Sequence, residues 1–216
     1  MMIKAIIFDK DGTLLDTERL NLKAWQTVLE RHHFGSDLTH IKEIMGMGPH
    51  DSLKILEKYY GPIAPIMRKE KHEVFKAFID AEGVPLKPGV MEILTFLKEH
   101  KIKMAVATST VRESAEYNLK KALIYDYFDT VVCGEDVSNG KPAPDIFLLA
   151  AAKLGVKPSD AMVVEDSRNG VLASHNGGFL TVHIPDIIKL DPKIMQYCFL
   201  KFSSLADFQI FLELNL

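Results

Sequence analysis

The stretch IKAIIFDKDGTL, residues 3–14, decides the fold. Residues 3–8 are apolar except for Lys4, and the apolar run stops abruptly at Asp9. A nearly continuous apolar run that ends in polar residues and glycine is typical of a strand buried on both faces and followed by a loop. Strands buried in this way belong to parallel sheets, so the stretch predicts a parallel sheet with a polar loop at residues 9–12.

The same pattern recurs along the chain. Four further short apolar segments predict strands at residues 104–107, 130–133, 161–164 and 180–184, and helical periods lie between them. One of these helices, which ends before Gly155, has the glycine that commonly terminates a helix. Strands that alternate with helices predict a doubly wound, Rossmann-like α/β sheet.

The segment of residues 16–85 breaks this alternation. It contains three helical stripes of apolar residues and no convincing strand, and Gly61 and Gly83 follow two of the stripes. We therefore predict an α/β core made of residues 1–15 and 86–216, with an inserted all-helical domain at residues 16–85.

Composition excludes several classes of function. The chain has 26 lysines and arginines against 29 aspartates and glutamates, a formal net charge of −3, so it lacks a basic footprint for nucleic acid or an anionic membrane surface. No run approaches the roughly 18 apolar residues of a membrane span, and no signal peptide is recognisable. Cys133 and Cys198 are too few for a disulfide framework, and we interpret both as buried thiols. We expect a cytoplasmic protein.

Polar residues follow four of the predicted strands. In an open α/β sheet, ligands bind beyond the carboxyl ends of the strands, so the loops at these ends should meet at one site. The residues that they supply are Asp9, Asp11, Thr108, Ser109, Lys141, Glu165 and Asp166.

The residue types in these loops predict a metal and a phosphate. The carboxylates of Asp9, Asp11 and Asp166 would repel one another, and a hard cation with oxygen ligands would explain their gathering; Mg²⁺ fits better than zinc. The Thr108 hydroxyl, neighbouring backbone amides and the Lys141 ammonium supply donors and positive charge, which suit the oxygens of a phosphoryl group.

Each element also has a simpler interpretation. An Asp-x-Asp-Gly sequence often forms a turn, and residues 108–110 could cap a helix. Lys141 could lie in a solvated loop, and Asp166 or Ser167 could cap the following helix. Their occurrence together at successive strand ends favours a shared site.

Together these residues resemble the haloacid dehalogenase superfamily of phosphohydrolases, whose four motifs occur here in order. The first motif is DKDGTL from Asp9, the second is Thr108-Ser109, the third is KPAPD from Lys141, and the fourth is VEDS from Val164. The helical insert is similar to the small cap domain of the subfamily that includes β-phosphoglucomutase and the sugar-phosphate phosphatases.

The resemblance implies chemical roles for the acidic residues. Asp9 would be the nucleophile that forms an aspartyl-phosphate, and Asp11 would be the general acid and base. Mg²⁺ would be held by Asp9, by the backbone carbonyl of Asp11 and by Asp166. Glu165 would be either a further metal ligand or a group that supports the ligands.

The resemblance also implies how the phosphoryl group is bound. The implied set is Gly12, Thr108, Ser109 and Lys141, of which Thr108 and Lys141 count among the catalytic residues. Lys141 should in addition counterbalance the carboxylates and keep Asp9 ionised.

Two comparisons narrow the activity. A dehalogenase is disfavoured, because that branch lacks the second acidic residue of the first motif, whereas Asp11 is present. The β-phosphoglucomutases have a histidine, a lysine and an arginine in the cap where this chain has Asn21, Met45 and Pro49. The loss of two cations should weaken the handling of a bisphosphate, because charge-assisted hydrogen bonds are among the stronger ones.

We therefore predict a Mg²⁺-dependent phosphatase of a small phosphorylated metabolite, with a sugar or polyol phosphate favoured over a nucleotide-type monophosphate. A β-phosphoglucomutase-like phosphomutase is the alternative. A phosphoacceptor module like the response-regulator receivers is a third, although residue order and size differ. We expect a monomer, because the chain supplies its own cap.

Substrate contacts in the cap are predicted at Asn21 and His50. Trp25, Met45 and Met47 are nearby candidates, but tryptophan and methionine more often pack in a core than line a pocket.

Overall fold

The structure is a computed structural model that describes residues 3–45 and 47–215. In this part of the chain the strands form one sheet of six, all parallel, in the order β3-β2-β1-β4-β5-β6. The strands are β1 Ala5–Phe8, β2 Lys103–Thr108, β3 Thr130–Cys133, β4 Ala161–Glu165, β5 Leu180–His183 and β6 Leu200–Lys201.

Ten α-helices accompany these strands in the described residues. They are α1 Thr17–Arg31, α2 Thr39–Glu43, α3 Pro49–Tyr60, α4 Ala64–Glu82, α5 Val90–Glu99, α6 Arg112–Lys121, α7 Asp145–Leu154, α8 Arg168–Asn176, α9 Pro192–Met195 and α10 Leu205–Asn215. None of the described helices is both long enough and apolar enough to cross a bilayer.

The predicted doubly wound α/β fold is confirmed. All five predicted strands are present, and α7 ends at Gly155, whose φ of +68° is in the left-handed region. The prediction missed β6, because a strand of two residues is too short to show a period. Cys133 is buried as predicted, but Cys198 is only partly buried, so the expectation of two buried thiols was half wrong.

Strand β1 lies in the interior of the sheet, and all four of its apolar residues are buried. It pairs with β2 on one side and β4 on the other, and Phe8 is aligned with Val106 and Val164. Helix α7 packs on one face and contributes Phe147 and Ala150 to the core. The residues that follow β1 therefore emerge at the centre of the sheet edge.

The chain divides into two compact units. One contains the described residues up to Leu15 and from Pro85 onward, and the other is Asp16–Val84. Pro85, which we had placed in the insert, thus groups with the α/β unit. The second unit consists of helices around its own core, in which Trp25 is buried, so this residue packs internally.

Candidate active site

The ends of three neighbouring strands set the position of the candidate site. Asp9 directly follows β1, Thr108 is the last residue of β2, and Glu165 is the last residue of β4. The amide of Asp9 donates to the carbonyl of Val164 at 2.9 Å, which extends the strand pairing by one residue. Because parallel strands end at the same edge, polar groups from distant parts of the chain meet here.

Lys141 lies at the centre of this group. Its Nζ donates to Oδ1 of Asp9 at 2.5 Å, to Oε1 of Glu165 at 2.7 Å and to the main-chain carbonyl of Ala107 at 3.1 Å. The Lys141 side chain is 5% exposed. These three contacts match the three donors of an ammonium group, so its orientation is determined by the protein.

The charged groups of this cluster shift one another's pKa values. Burial, which Lys141 opposes and the charges of Glu165 and Asp11 reinforce, raises the pKa of Asp9 to about 7. Burial lowers the pKa of Lys141, but Asp9 and Glu165 outweigh this effect and hold that pKa above its ordinary value. Lys141 thus acts on Asp9 in the expected direction, because its charge and its hydrogen bond both lower the pKa of Asp9 against the effect of burial.

Glu165 is fully buried, and both of its carboxylate oxygens accept hydrogen bonds. Lys141 donates to Oε1, while the backbone amide and the hydroxyl of Ser167 each donate to Oε2 at 2.9 Å. Helix α8 passes so close that a Cβ at Gly170 would lie 1.7 Å from Oε1. Protein donors thus engage both carboxylate oxygens of Glu165, and it is not among the metal ligands that we propose.

The carboxylate of Asp11 is also held by donors. Nζ of Lys10 lies 2.6 Å from Oδ1, and the Thr110 hydroxyl donates to Oδ2 at 2.9 Å. The backbone amide of Thr110 donates in turn to Oγ1 of Thr108 at 3.1 Å. Asp11 is therefore connected to the loop that follows β2.

That loop is tightly fitted to its neighbour. A Cβ at Gly134, which follows β3, would lie 2.6 Å from the carbonyl oxygen of Ser109, so only glycine fits there. The Gly134 amide donates to the carbonyl of Thr110 at 3.3 Å. Ser109 thus lies in a tightly packed loop directly after Thr108, and these two are the predicted phosphate-binding residues.

Gly12 is a second position where a side chain does not fit. Its φ is +84°, and a Cβ would lie 2.5 Å from Oδ2 of Asp166 and 3.1 Å from Oδ2 of Asp186. Asp186 is almost completely buried and forms an ion pair with Lys87 at 2.6 Å. Two carboxylates therefore approach the Gly12 backbone, one of which was predicted as a metal ligand.

The donor set fits Mg²⁺. In the described residues, no three histidine, cysteine, aspartate or glutamate side chains converge as a ready metal cage. Mg²⁺ needs no such cage, since it is usually held by one or two carboxylates and keeps several waters. The predicted ligands Asp9, Asp166 and the main-chain carbonyl of Asp11 are donors of this kind, two carboxylates and a carbonyl. The side chains of Asp11 and Glu165 accept hydrogen bonds from protein donors on both oxygens.

The predicted substrate-binding residues of the helical unit differ from one another in their contacts and in their exposure. Asn21 accepts a hydrogen bond from Nζ of Lys71 at 3.0 Å, and this ammonium lies 5.7 Å from the centre of the Trp25 ring. His50 lies exposed in the first turn of α3. Met47 is largely exposed, and Met45 is partly buried.

The α/β unit thus contains most of the predicted site, whereas Asn21 and His50 belong to the helical unit. Four features were not predicted from the sequence: the contacts of Lys10 and Thr110 with Asp11, the burial of Lys71, and the position of Asp186. The signal for Lys10 was available, because a lysine two residues after a central buried strand and two residues before the glycine of a turn has little room to reach solvent.

Comparison with known proteins gives the family. The family model described as haloacid dehalogenase-like hydrolase matches residues 6–184. The chain belongs to this family. This confirms the resemblance, and the chain is accordingly an enzyme, a hydrolase of phosphate monoesters of the haloacid dehalogenase type.

Individual relatives of this family cover most of the chain. The phosphorylated carbohydrates phosphatase of Thermotoga maritima is 37% identical over 185 residues, which are 84% of this chain and 84% of the relative. The β-phosphoglucomutase of Bacillus subtilis is 30% identical over 190 residues, 84% of this chain and 83% of the relative. The crystal structure of CbbY from Rhodobacter sphaeroides in complex with phosphate has a TM-score of 0.82 at 27% identity, covering 95% of this chain and 96% of that one.

Proposed function

We propose that this enzyme is a Mg²⁺-dependent phosphatase of a small sugar or polyol phosphate and that it acts through an aspartyl-phosphate on Asp9. The observation that carries the proposal is the position of the Lys141 ammonium, 2.5 Å from Asp9 and 2.7 Å from Glu165 at the edge of the sheet. A nucleophilic carboxylate next to an oriented cation is the arrangement that transfer of an anionic phosphoryl group requires.

The first half of the reaction forms the intermediate. A carboxylate oxygen of Asp9 bonds to phosphorus while the bond from phosphorus to the ester oxygen breaks. Asp11 gives a proton to the departing alcohol and is left as a carboxylate. The phosphoryl group is then covalently attached to Asp9.

The second half regenerates the enzyme. A water oxygen bonds to phosphorus, Asp11 accepts the proton that the water loses, and the bond between phosphorus and Asp9 breaks. Inorganic phosphate leaves, Asp9 is a carboxylate again, and Asp11 is protonated for the next substrate. The same carboxyl group thus serves as acid and then as base.

Binding of the phosphoryl oxygens falls to the neighbouring loops. We assign this role to the Thr108 hydroxyl, the Ser109 amide and Lys141, with Gly12 allowing the first loop to approach closely. Phosphoryl transfer depends mainly on positioning and on compensation of charge, which fixed donors supply without reorganisation.

Asp9, Asp166 and the main-chain carbonyl of Asp11 would hold Mg²⁺. When bound, the ion neutralises charge on the carboxylates and on the phosphoryl oxygens.

For the substrate, we propose a sugar or polyol phosphate on two grounds. The Thermotoga maritima relative is named for phosphorylated carbohydrates. Within the helical unit, Lys71 and Asn21 combine a largely buried cation with an amide beside the Trp25 ring. Such donors suit hydroxyl groups, and we propose that substrate choice depends on them.

The test is release of inorganic phosphate from a panel of sugar, polyol and nucleoside monophosphates, with Mg²⁺ and with EDTA. We expect a preference for one sugar or polyol ester that is lost in EDTA and in the Asp9→Asn variant. Phosphate release that survives Asp9→Asn contradicts the nucleophile, and a preference for nucleoside monophosphates contradicts the substrate class.

A phosphomutase is the second candidate, because a relative at 30% identity is named β-phosphoglucomutase. Conversion of β-glucose 1-phosphate to glucose 6-phosphate in the presence of the 1,6-bisphosphate distinguishes the two. We expect slow or no conversion, with net phosphate release.

A further inference from the structure

The side chain of Asp11 is held on both carboxylate oxygens by residues that no step above uses. Lys10 approaches Oδ1 at 2.6 Å and Thr110 donates to Oδ2 at 2.9 Å. The residues come from different loops, since Lys10 follows β1 and Thr110 follows β2. Two donors on the two oxygens of one carboxylate restrict its rotation as well as its position.

Lys10 is buried by the turn that it begins. Its main-chain carbonyl accepts hydrogen bonds from the amides of Leu14 at 3.0 Å and Leu15 at 2.9 Å, so the chain folds back over it. Its side chain is 1% exposed. A buried ammonium is costly unless it is paired, and Asp11 is the partner at ion-pair distance.

Thr110 connects Asp11 to the phosphate-binding loop. Its amide donates to Oγ1 of Thr108 and its hydroxyl donates to Asp11, so one residue bridges two functional groups. The carbonyl of Thr110 accepts from the Gly134 amide, which anchors the bridge to the loop after β3. Asp11 is therefore held in register with the residues proposed to bind phosphate.

We propose that Lys10 and Thr110 are positioning residues that orient the Asp11 carboxylate toward the water that attacks the aspartyl-phosphate. The inference rests on the proposed function. In that step the water oxygen bonds to phosphorus, the phosphorus–Asp9 bond breaks, and the water proton goes to Asp11. Lysine can only donate hydrogen bonds and the Thr110 hydroxyl donates here, so both contacts suit Asp11 as an acceptor, which is its form before it takes that proton.

If the contacts of Lys10 and Thr110 with Asp11 only stabilised the fold, a different result would be expected. Their loss would loosen the loop and slow the formation and the hydrolysis of the phosphoenzyme alike. Loss of a positioning pair slows hydrolysis selectively when the first step needs no acid. p-Nitrophenyl phosphate provides this condition, because its leaving group departs without a proton.

The variants are Lys10→Met and Thr110→Val, which remove the donors at similar volume, with Lys10→Arg and Thr110→Ser as conservative counterparts. Lys4→Met and Thr130→Val are matched controls at positions outside the site. Rapid quench with p-nitrophenyl phosphate measures phosphoenzyme formation and decay, and oxygen exchange between inorganic phosphate and ¹⁸O-labelled water measures the water step without any leaving group. Thermal unfolding verifies that each variant is folded.

We expect decay and oxygen exchange to slow about tenfold in Lys10→Met and Thr110→Val, part of the 10²–10⁴ that a placed base contributes, with formation nearly unchanged. Thr110→Ser should recover most of the loss. Equal slowing of both steps, or no change in either, overturns the positioning role and leaves the proposed function standing. Absence of any phosphoenzyme in the wild type, as in Asp9→Asn, overturns both.

Discussion

Nζ of Lys141 lies 2.5 Å from Oδ1 of Asp9, although 132 residues separate them in the chain. The contact joins the loop after β3 to the loop after β1, and Glu165 holds the same ammonium from the end of β4. The buried Lys141 ammonium thus links the loop after β3 to residues at the ends of β1 and β4. Its removal should affect both the chemistry and the stability of this edge of the sheet.

We expect Lys141→Met to lower kcat/KM for phosphate release by at least about a hundredfold, since fixed charge at the transferring group is a large contribution to catalysis. The variant also leaves the carboxylates of Asp9 and Glu165 buried without their cation. We therefore expect a loss of about 3–5 kcal/mol in the free energy of unfolding, measured by denaturant titration in EDTA.

Lys4→Met is the matched control for that variant. Lys4 pairs with Asp160 at 2.8 Å, but its side chain is 51% exposed. An exposed pair contributes at most about 1 kcal/mol, so activity should be unchanged and stability nearly so. Similar losses in both variants would show that burial of the Lys141 pair has no special importance.

Gly12→Ala should weaken Mg²⁺ binding at least about tenfold, because the new methyl group would press on the Asp166 carboxylate. Isothermal titration with Mg²⁺ measures the effect independently of turnover. Gly178→Ala is the control, since Gly178 has a φ of +75° but no neighbour within 4 Å of a Cβ. Both variants carry backbone strain of about 1–2 kcal/mol, and only Gly12→Ala should lose the metal. Equal Mg²⁺ affinity in the two variants would contradict the assignment of Asp166.

Much of the candidate site was predictable because its residues follow apolar strands. Each of the runs before Asp9, Thr108 and Glu165 ends abruptly, and parallel strands that end together bring their loops together whatever the chain length between them. The hydrogen-bond partners of individual atoms were harder to predict from the sequence. That Lys141 contacts Glu165, and that Glu165 is thereby occupied, depends on the positions of β4 and α8, which a spacing pattern does not contain.

Two other features were hidden for related reasons. Asp186 follows β5 without any recognisable motif, and its place beside Gly12 depends on the path of the loop after β5. Lys71 looked like one of many charges on α4, yet it is only 9% exposed and donates to Asn21. The periodicity of an amphipathic helix predicts that its charged residues are exposed to solvent. Whether one of them is buried depends on tertiary packing, which the sequence pattern does not contain.

The stability of the enzyme should fall below about neutral pH through His183. This residue is 3% exposed on β5, and its Nδ1–H donates to the main-chain carbonyl of Glu165 at 3.1 Å. Burial lowers the pKa of His183 from its ordinary value of 6.5. Below pH 6.5 the unfolded chain therefore takes up a proton at His183 more readily than the folded chain does, so this contribution to stability is full above this pH and is lost as the pH decreases.

The His183→Asn variant keeps an N–H donor and removes the titration. We expect its free energy of unfolding to depend less on pH below 6.5, by up to about 1.4 kcal/mol per pH unit. His100→Asn is the control, because Nδ1 of His100 also bonds a main-chain carbonyl but the residue is exposed. An acid limb that is as steep in His183→Asn as in the wild type would refute the assignment.

Lys71→Met should separate substrate recognition from chemistry. Lys71, which is 9% exposed, donates to Asn21 in the helical unit, far in sequence from the residues proposed to transfer the phosphoryl group. If this pair recognises the sugar or polyol, KM for the preferred ester should rise about tenfold, while turnover of p-nitrophenyl phosphate, which has no hydroxyls to recognise, should be unchanged. Lys69→Met is the control on the same helix, because Lys69 is exposed. A parallel loss for both substrates would assign Lys71 to the stability of the helical unit, whereas a selective rise in KM would identify this unit as the source of specificity.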